Sequence, residues 1–262
     1  WSSVSYFGDS TYWYGWMDFG DIPVPGKGPS GLAYDWTFIT LLNAMRTGDV
    51  AFMRFGTEMA RHRIDVDQLW SDRDPEHCRA LQRAGGFPAF HCYRLYRPSG
   101  VGSNHLAGTA LYYMLTGEPK ALECCRRNVE GLKAAWAHIA KTKPWAGPQG
   151  NMAANGWSIH SYCSMYAITG EKKWLDEAMG LFKTNVMAKR RSLGPHLHGR
   201  QQIRSQGYTK DDIKYCYAIY PLCLLQYYTG DKAVLKLLQE GCDADFPENF
   251  FDAPLFLADL HA

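Results

Sequence analysis

The hydrophobic pattern between Asn104 and Trp136 predicts two helices of different character joined by a tight turn. Residues 106–115 are apolar on nearly every side, which is typical of a helix that is buried all round. After Glu118 and Pro119 the apolar residues recur every three or four positions with charged residues between them, which indicates an amphipathic helix. A proline also favours a helix start. The segment therefore predicts a helical hairpin with a buried inner arm and a solvated outer arm.

The same hairpin pattern occurs four times along the chain. Each copy has an apolar, aromatic run, then Thr-Gly and an acidic residue, then an amphipathic run. The turns begin at Thr47, Thr116, Thr169 and Thr229. Glycine suits the left-handed position after a helix end, and the acidic residue can cap the next helix. Repetition of this kind predicts an all-α fold built from helical hairpins.

We expect the inner arms at 36–46, 105–115, 157–168 and 214–228, and we expect Pro221 to kink the last of them. Inner arms that ring an axis, with outer arms facing water, make an α/α toroid, either incomplete or an (α/α)6-type barrel. A flat solenoid is the main alternative. In the toroid, the long connections lie together at the end where the inner helices start.

Length and composition describe an ordinary globular protein. The chain has 262 residues, 46% hydrophobic and 14% aromatic, and its net charge of +2 does not call for a nucleic-acid partner. No apolar run is long enough to span a membrane. The sequence begins at Trp1 without a signal peptide, so we expect a single toroid domain, 1–262, excised from or shorter than a multidomain protein. Eight cysteines without spaced pairs are expected to be buried thiols rather than a disulfide framework.

The first 34 residues are rich in aromatic residues, glycine and proline, and are too irregular for a long helix. Trp16 is a candidate for a sugar-binding wall, although such aromatics equally well close the core. Asp18 and Asp21 are candidates for binding substrate hydroxyls or Ca²⁺, but turn formation alone also explains them.

Polar and aromatic residues at the starts of the inner helices are candidates for binding substrate or for catalysis. Asn155 and His160 in the third copy correspond to Asn104 and His105 in the second. Helix capping explains each asparagine equally well, and Asp35 is a plausible N-cap. The helix-start candidates are Tyr34, Asp35, Trp36, Asn104, His105, Asn155, Trp157 and His160.

The end of the first outer helix is dense in ionisable residues, and Arg61 and His62 are catalytic candidates there. The helix dipole alone also favours a basic last turn. The connection that follows, 68–103, is long enough to be functional or an insertion. His91 lies within it and is a candidate for the cleft, although a lone histidine is more often structural.

The connection 187–213 is the most polar long loop and concentrates positive charge. Such clustering favours an anionic ligand, and an ordinary solvated loop is the alternative. Tyr208, near its end, is a catalytic candidate. His196-x-His198 is a weak metal signal, because no carboxylate or cysteine stands at a supporting spacing. The basic residues are Lys189, Arg190, Arg191, Arg200, Arg204 and Lys210, of which Lys210 is a catalytic and Arg200 and Arg204 are substrate-binding candidates.

Five short motifs occur in a fairly specific order. They are G-W-M-D-F-G-D (15–21), Y-D-W (34–36), R-T-G-D (46–49), M-A-R-H-R-I-D-V-D (59–67) and S-N-H-L-A-G-T-A-L-Y-Y-M-L-T-G-E (103–118). This order resembles the central domain of the exo-rhamnogalacturonan lyase/YetA-like family, over about residues 8–136 and more weakly beyond. The resemblance implies an α/α-barrel domain, normally beside β-rich domains, that cleaves acidic, pectin-like polysaccharide by elimination. It transfers no proven catalytic residue.

Elimination at a uronate requires three chemical steps. The carboxylate on C5 must be neutralised, the C5 proton removed, and the leaving oxygen protonated. Other α/α-toroid polysaccharide lyases use Asn, His, Tyr and Arg for these steps, and by this analogy alone the chain offers a comparable set. The catalytic candidates are Arg61, His62, His105, His160, Tyr208 and Lys210.

Two other functions fit the same pattern. A glycoside hydrolase of the same fold, acting on acidic or unsaturated oligosaccharides, would need a catalytic carboxylate from Asp18, Asp21, Asp35 or Asp65. A non-catalytic carbohydrate-binding domain would bind without turnover. In each case the expected partner is an acidic oligo- or polysaccharide, rather than nucleic acid or membrane, with Ca²⁺ as a possible cofactor. A polymeric substrate favours an extracellular or periplasmic location.

Overall fold

The computed structural model of the chain describes residues 22–24, 28–30, 35–68, 70, 89–90, 97–98, 101, 105–142, 152–187 and 218–245. Within these residues the fold is mostly helical, in agreement with the all-α prediction. The residue contacts divide the chain into two compact units. The first is Trp1–Thr142 with Ala167–Gly170, and the second is Lys143–Tyr166 with Glu171–Ala262.

Two consecutive helical hairpins form most of the described part of the first unit. Helix α1 packs on α2 and α3, and α3 packs on α4. The helices are α1 (Trp36–Thr47), α2 (Val50–His62), α3 (Ala107–Thr116) and α4 (Pro119–Thr142), with a π-helical turn (Arg63–Asp67) directly after α2. Two short antiparallel pairs accompany them: β1 (Ile22–Val24) with β2 (Gly28–Ser30), and β3 (Ala89–Phe90) with β4 (Arg97–Pro98).

The second unit repeats the hairpin construction. Helix α7 packs against α8 and α6. The unit contains most of α5 (Met152–Thr169), α6 (Lys173–Leu181), a second π-helical turn (Phe182–Val186), α7 (Ile219–Thr229) and α8 (Lys232–Asp245). Two of the outer helices, α2 and α6, thus pass directly into a π-helical turn. This rare conformation often marks a functional site.

The contrast between inner and outer arms is clearest in α3 and α4. Every residue from 105 to 112 is buried, whereas α4 buries one face and exposes the other. The buried residues of α4 include Cys125, Val129, Leu132 and Trp136, as its apolar spacing predicts. The first inner arm differs from the prediction, because α1 exposes Ile39, Leu42 and Met45 and is therefore buried on one side only.

The Thr-Gly turns share one hydrogen-bond pattern. In the first turn, the Thr47 hydroxyl donates to the carbonyl of Asn43 at 2.7 Å and accepts the N–H of Asp49 at 3.2 Å. The Asp49 carboxylate then accepts the N–H of Ala51 at 2.8 Å, which caps the next helix. The same three bonds recur in the second and fourth turns. A threonine is used because one hydroxyl both closes the first helix and orients the second.

The glycines of all four turns have the left-handed backbone that the repeat predicts. Their φ angles lie between 63° and 70°, a region that costs glycine little and other residues more. In the third turn, Glu171 pairs with Lys173 at 2.7 Å. The glycines are Gly48, Gly117, Gly170 and Gly230.

One predicted helix start was wrong, and a second falls on residues outside the described ranges. Helix α5 begins at Met152 rather than at 157, because the Met-Ala-Ala run has a high helix propensity and extends the helix towards the N-terminus. Helix α7 begins at Ile219, whereas 214–217 lie outside the described residues. Pro221 therefore lies in the first turn of α7, where its missing N–H costs no hydrogen bond, and does not kink the middle of the helix.

The cysteines in the described part of the chain are buried and reduced, as predicted. They are Cys124, Cys125, Cys163 and Cys223. Burial raises the pKa of the Cys163 thiol to about 12, so it stays protonated. Among the described residues, no helix combines the length and the apolar character that a membrane crossing requires.

Candidate functional site

Asp35 connects the starts of the first two inner helices. Its Oδ1 accepts the N–H of Phe38 at 3.2 Å, so Asp35 is the N-cap of α1, as predicted. Its Oδ2 accepts the N–H of Gly108 in α3 at 3.1 Å. The Asp35 backbone is left-handed, with φ of 49°, which is strained for a residue with a side chain. The two hydrogen bonds hold this strained backbone in place.

At position 108, between α1 and α3, glycine is the only residue type that fits. An added Cβ would lie 2.5 Å from Asp35 Oδ1 and 2.5 Å from the backbone nitrogen of Phe38. Backbone atoms cannot move aside as the end of a flexible side chain can. The close approach of the two helices, and with it the hydrogen bond to Asp35, therefore depends on glycine.

Burial gives the Asp35 carboxyl an unusual pKa. Loss of solvent raises its pKa from 3.8 to about 6, against the opposing effect of the N–H groups of Gly108 and Phe38 and of the positive charge of Arg63. The group therefore changes its charge near pH 6 while it remains in the interior.

Arg63 brings a permanent positive charge into the interior of the first unit. It is the first residue of the π-helical turn after α2 and is only 5% exposed. Its Nη1 donates to Gln68 Oε1 at 2.9 Å, and the same oxygen accepts the Cys124 thiol at 3.4 Å. Nε and Nη2 of Arg63 are buried and make no hydrogen bond with any residue that the structure describes. One edge of the guanidinium is thus fixed by Gln68, and the other edge is buried without a hydrogen-bond partner among the described residues.

His62 and Asp67 form a second buried pair in the same turn. Their Nε2 and Oδ1 atoms lie 3.6 Å apart, and both side chains are 1% exposed. This pair would become an ion pair when the imidazole is protonated. His62 was a catalytic candidate, and the structure places it in the interior next to a carboxylate.

Arg61 and Arg63 differ in their burial. Arg61, a predicted catalytic residue, is exposed, whereas Arg63 is buried. Residues two positions apart on a helix, such as Arg61 and Arg63, point in nearly opposite directions. Arg63 continues the buried series of Gly56, Met59 and Ala60. This three-and-four spacing is the signal in the sequence by which the buried arginine could have been found.

Trp70 anchors the chain after the π-helical turn and was not singled out from the sequence. Its Nε1 donates to the carbonyl of Ile64 at 2.7 Å. Arg127 of α4 donates to the Trp70 carbonyl at 3.0 Å and lies 5.3 Å from the ring centroid, and Lys120 lies 5.5 Å from it. Lys120 also bonds Asp65 in the turn. These contacts hold the turn that carries Arg63 against α4.

In the described part of the second unit the buried polar side chains are Asn155, Ser158, His160 and Ser161. Asn155 of α5 is fully buried, and its Oδ1 accepts a hydrogen bond from Asn185 Nδ2 at 2.9 Å. Asn185 lies in the second π-helical turn. In both units, therefore, the turn that ends an outer helix directs a polar side chain into the interior. Asn155 lies within α5 rather than capping it.

His160 lies in the middle of α5 and not at its start, because it is eight residues beyond Met152. Its ring stacks on Trp157 at 6.0 Å and meets the edge of Tyr220 at 5.3 Å. Burial lowers the pKa of His160 to about 4. Loss of solvent is the cause of this lowered pKa, because His160 lies inside α5 and away from its N-terminus.

The remaining candidates divide into two groups. His105 is buried two residues before α3, and Trp36 is the partly buried first residue of α1. The other candidates lie outside the described residues, and they are Trp16, Asp18, Asp21, Tyr34, His91, Asn104, Arg200, Arg204, Tyr208 and Lys210. Within the described ranges, no group of three or more His, Cys, Asp or Glu is arranged to hold a metal ion.

Together these observations define the class of protein as all-α, built from repeated helical hairpins. Its first unit contains a cluster of buried ionisable side chains. No family model matches the chain, and neither does any curated protein or any solved structure. The resemblance to the exo-rhamnogalacturonan lyase/YetA-like family therefore stays a prediction based on its five motifs.

Proposed function

We propose that the chain is a lyase that cleaves uronic-acid-containing, pectin-like glycan by β-elimination, and that its hairpins form an α/α toroid. One observation carries the proposal. In the first unit, buried ionisable side chains concentrate where the inner helices begin and the outer helix ends, whereas the Thr-Gly turns at the opposite ends of these helices are largely exposed. The buried ionisable residues at that end are Asp35, His62, Arg63, Asp67 and His105.

The side chains at this end match what elimination requires. A guanidinium neutralises the substrate carboxylate, and a neutral imidazole takes the C5 proton. Of the candidates His105 and His160, we favour His105 as the base, because it lies just before the start of α3. The pKa of His160, about 4, makes it a weak base at neutral pH.

The test is the appearance of an unsaturated uronate, which absorbs in the ultraviolet, when the protein is incubated with de-esterified pectin fragments. His105→Ala should slow its formation by about 10²–10⁴-fold, the usual contribution of a general base. His160→Ala should slow it less. Both melting temperatures should stay close to that of the unmodified protein, and a variant that loses its fold together with its activity would identify a structural histidine instead.

A glycoside hydrolase of the same fold is the second candidate, and one observation favours it. A carboxyl group with a pKa raised to about 6, as in Asp35, is what a general acid needs. Against it, both carboxylate oxygens of Asp35 already bind backbone N–H groups. Products without the ultraviolet absorbance, together with inactivity of Asp35→Asn, would replace the lyase by the hydrolase.

The partner in this proposal is an acidic oligo- or polysaccharide, and a polymeric substrate would place the reaction outside the cytoplasm. Ca²⁺ would enter through Asp18 and Asp21, which lie outside the described residues. Removal of Ca²⁺ with a chelator tests that part separately. Unchanged turnover after chelation would leave neutralisation of the substrate to arginine or lysine side chains.

A further inference from the structure

Within the described part of the chain, the unpaired edge of the Arg63 guanidinium has the geometry of a carboxylate receptor. A guanidinium presents its donors in a planar fork, and Nε with Nη2 forms one side of that fork. In Arg63 the remaining group, Nη1, is held by Gln68 at 2.9 Å, so the plane of the fork is fixed. Gln68 is itself held by the Cys124 thiol at 3.4 Å. A side chain fixed in this way loses little freedom when it binds an anion.

The burial of this fork requires an explanation. A buried charged group with unpaired donors is costly unless an anion or water satisfies it. Two donors of Arg63 are unpaired among the described residues, although the side chain is 5% exposed. By contrast, Arg54 in the preceding helix α2 is 81% exposed and pairs with Glu58 at 3.4 Å, as an ordinary surface arginine does.

We propose that Nε and Nη2 of Arg63 bind the carboxylate of a uronate residue in the glycan, an inference that rests on the proposed lyase function. Two parallel N–H···O bonds would form, the arrangement that arginine and carboxylates prefer. A phosphate dianion is disfavoured, because the carboxylates of Asp67 and Asp35 belong to the same cluster and would repel the second negative charge.

This contact has a defined role in elimination. Removal of the C5 proton moves negative charge onto the neighbouring carboxylate, and a guanidinium already in place stabilises that charge as it develops. Arg63 would then act on both substrate binding and the chemical step. Lysine at this position keeps the charge but cannot make the two parallel bonds.

The experiment measures binding of trigalacturonate and of its fully methyl-esterified form by calorimetry, with the full chain. The unmodified protein should bind the acid at least tenfold more tightly than the ester. Arg63→Lys should weaken binding of the acid at least tenfold with little change in melting temperature. The matched control Arg54→Lys, at an exposed arginine of the preceding helix α2, should bind as the unmodified protein does.

The outcomes separate this inference from the proposed function. Tight binding that depends on Arg63, without any unsaturated product, would keep the carboxylate site and reject the lyase. Turnover with equal affinity for acid and ester, or with unchanged affinity in Arg63→Lys, would keep the lyase and reject Arg63 as the receptor. The comparison of acid with ester uses the unmodified protein, so equal affinities would reject Arg63 as the receptor even if Arg63→Lys fails to fold.

Discussion

The two units use the same construction and bury different chemistry. In each, an outer helix passes into a π-helical turn that sends a polar side chain inward. In the first unit that side chain is Arg63, in a cluster with Asp35 and the His62–Asp67 pair. In the second unit it is Asn185, which binds Asn155. The comparison teaches that the hairpin repeat supplies the scaffold, while a few residues in the turns determine whether its interior is charged or neutral.

The largest effect is expected where the first unit brings two helices into contact. Gly108→Ala places a Cβ 2.5 Å from backbone and carboxylate atoms, and it should lower the free energy of unfolding by about 3 kcal/mol or more. The control is Gly180→Ala in the second unit, which is helical and has nothing within 4 Å of its Cβ. That change should stabilise the protein by about 0.5–1 kcal/mol. Chemical denaturation of both variants measures the difference, and equal effects would show that the helices are not in close contact at Gly108.

The buried groups of the two units should give opposite dependences of stability on pH. The folded-state pKa of Asp35 is raised from 3.8 to about 6, so the folded protein holds this proton more tightly than the unfolded chain does. Its contribution to stability therefore falls by about 3 kcal/mol as the pH rises from about 4 to 6. The pKa of His160 is lowered from 6.5 to about 4, so its contribution rises by about 3 kcal/mol between pH 4 and 6.5.

Denaturation from pH 4 to 7 of Asp35→Asn and His160→Gln checks this prediction. Relative to the unmodified protein, Asp35→Asn should lose the falling component and His160→Gln the rising one. Each variant is compared with the unmodified protein at every pH, so a constant loss of stability does not affect the result. Parallel curves of the free energy of unfolding against pH for all three proteins would mean that burial does not shift the pKa of either group.

A smaller and equal effect is expected in the shared scaffold. Thr47→Val in the first unit and Thr229→Val in the second remove the same pair of hydroxyl hydrogen bonds, and each should cost about 1 kcal/mol. Thr184→Val is the control, because its hydroxyl is exposed and closes no Thr-Gly turn. A large difference between the two turn variants, measured by denaturation, would contradict a common turn structure.

The scaffold could be predicted from the sequence because its causes are local. Apolar spacing gives the inner and outer arms, and the Thr-Gly-acid turn needs only residues close in sequence. The error at the start of α5 has the same origin. The sequence offered Asn155 as a plausible cap, but α5 begins at Met152, so Asn155 lies inside the helix and its side chain binds Asn185, thirty residues away.

The candidate site was harder to predict because its contacts are distant in sequence. The hydrogen bond from Gly108 to Asp35 spans 73 residues, and no local pattern indicates it. Arg61 was chosen over Arg63 because both belong to one basic run, although the helical period separates them. Burial, which sets the pKa values of Asp35 and His160, is likewise a property of the packed fold.

The most direct test of the charged cluster as the binding site is a crystal structure of the protein with trigalacturonate. We predict a uronate carboxylate with its two oxygens about 2.7–2.9 Å from Nε and Nη2 of Arg63. Hydrogen bonds from these two nitrogens to a residue of the chain, with the sugar bound at another surface, would contradict the account.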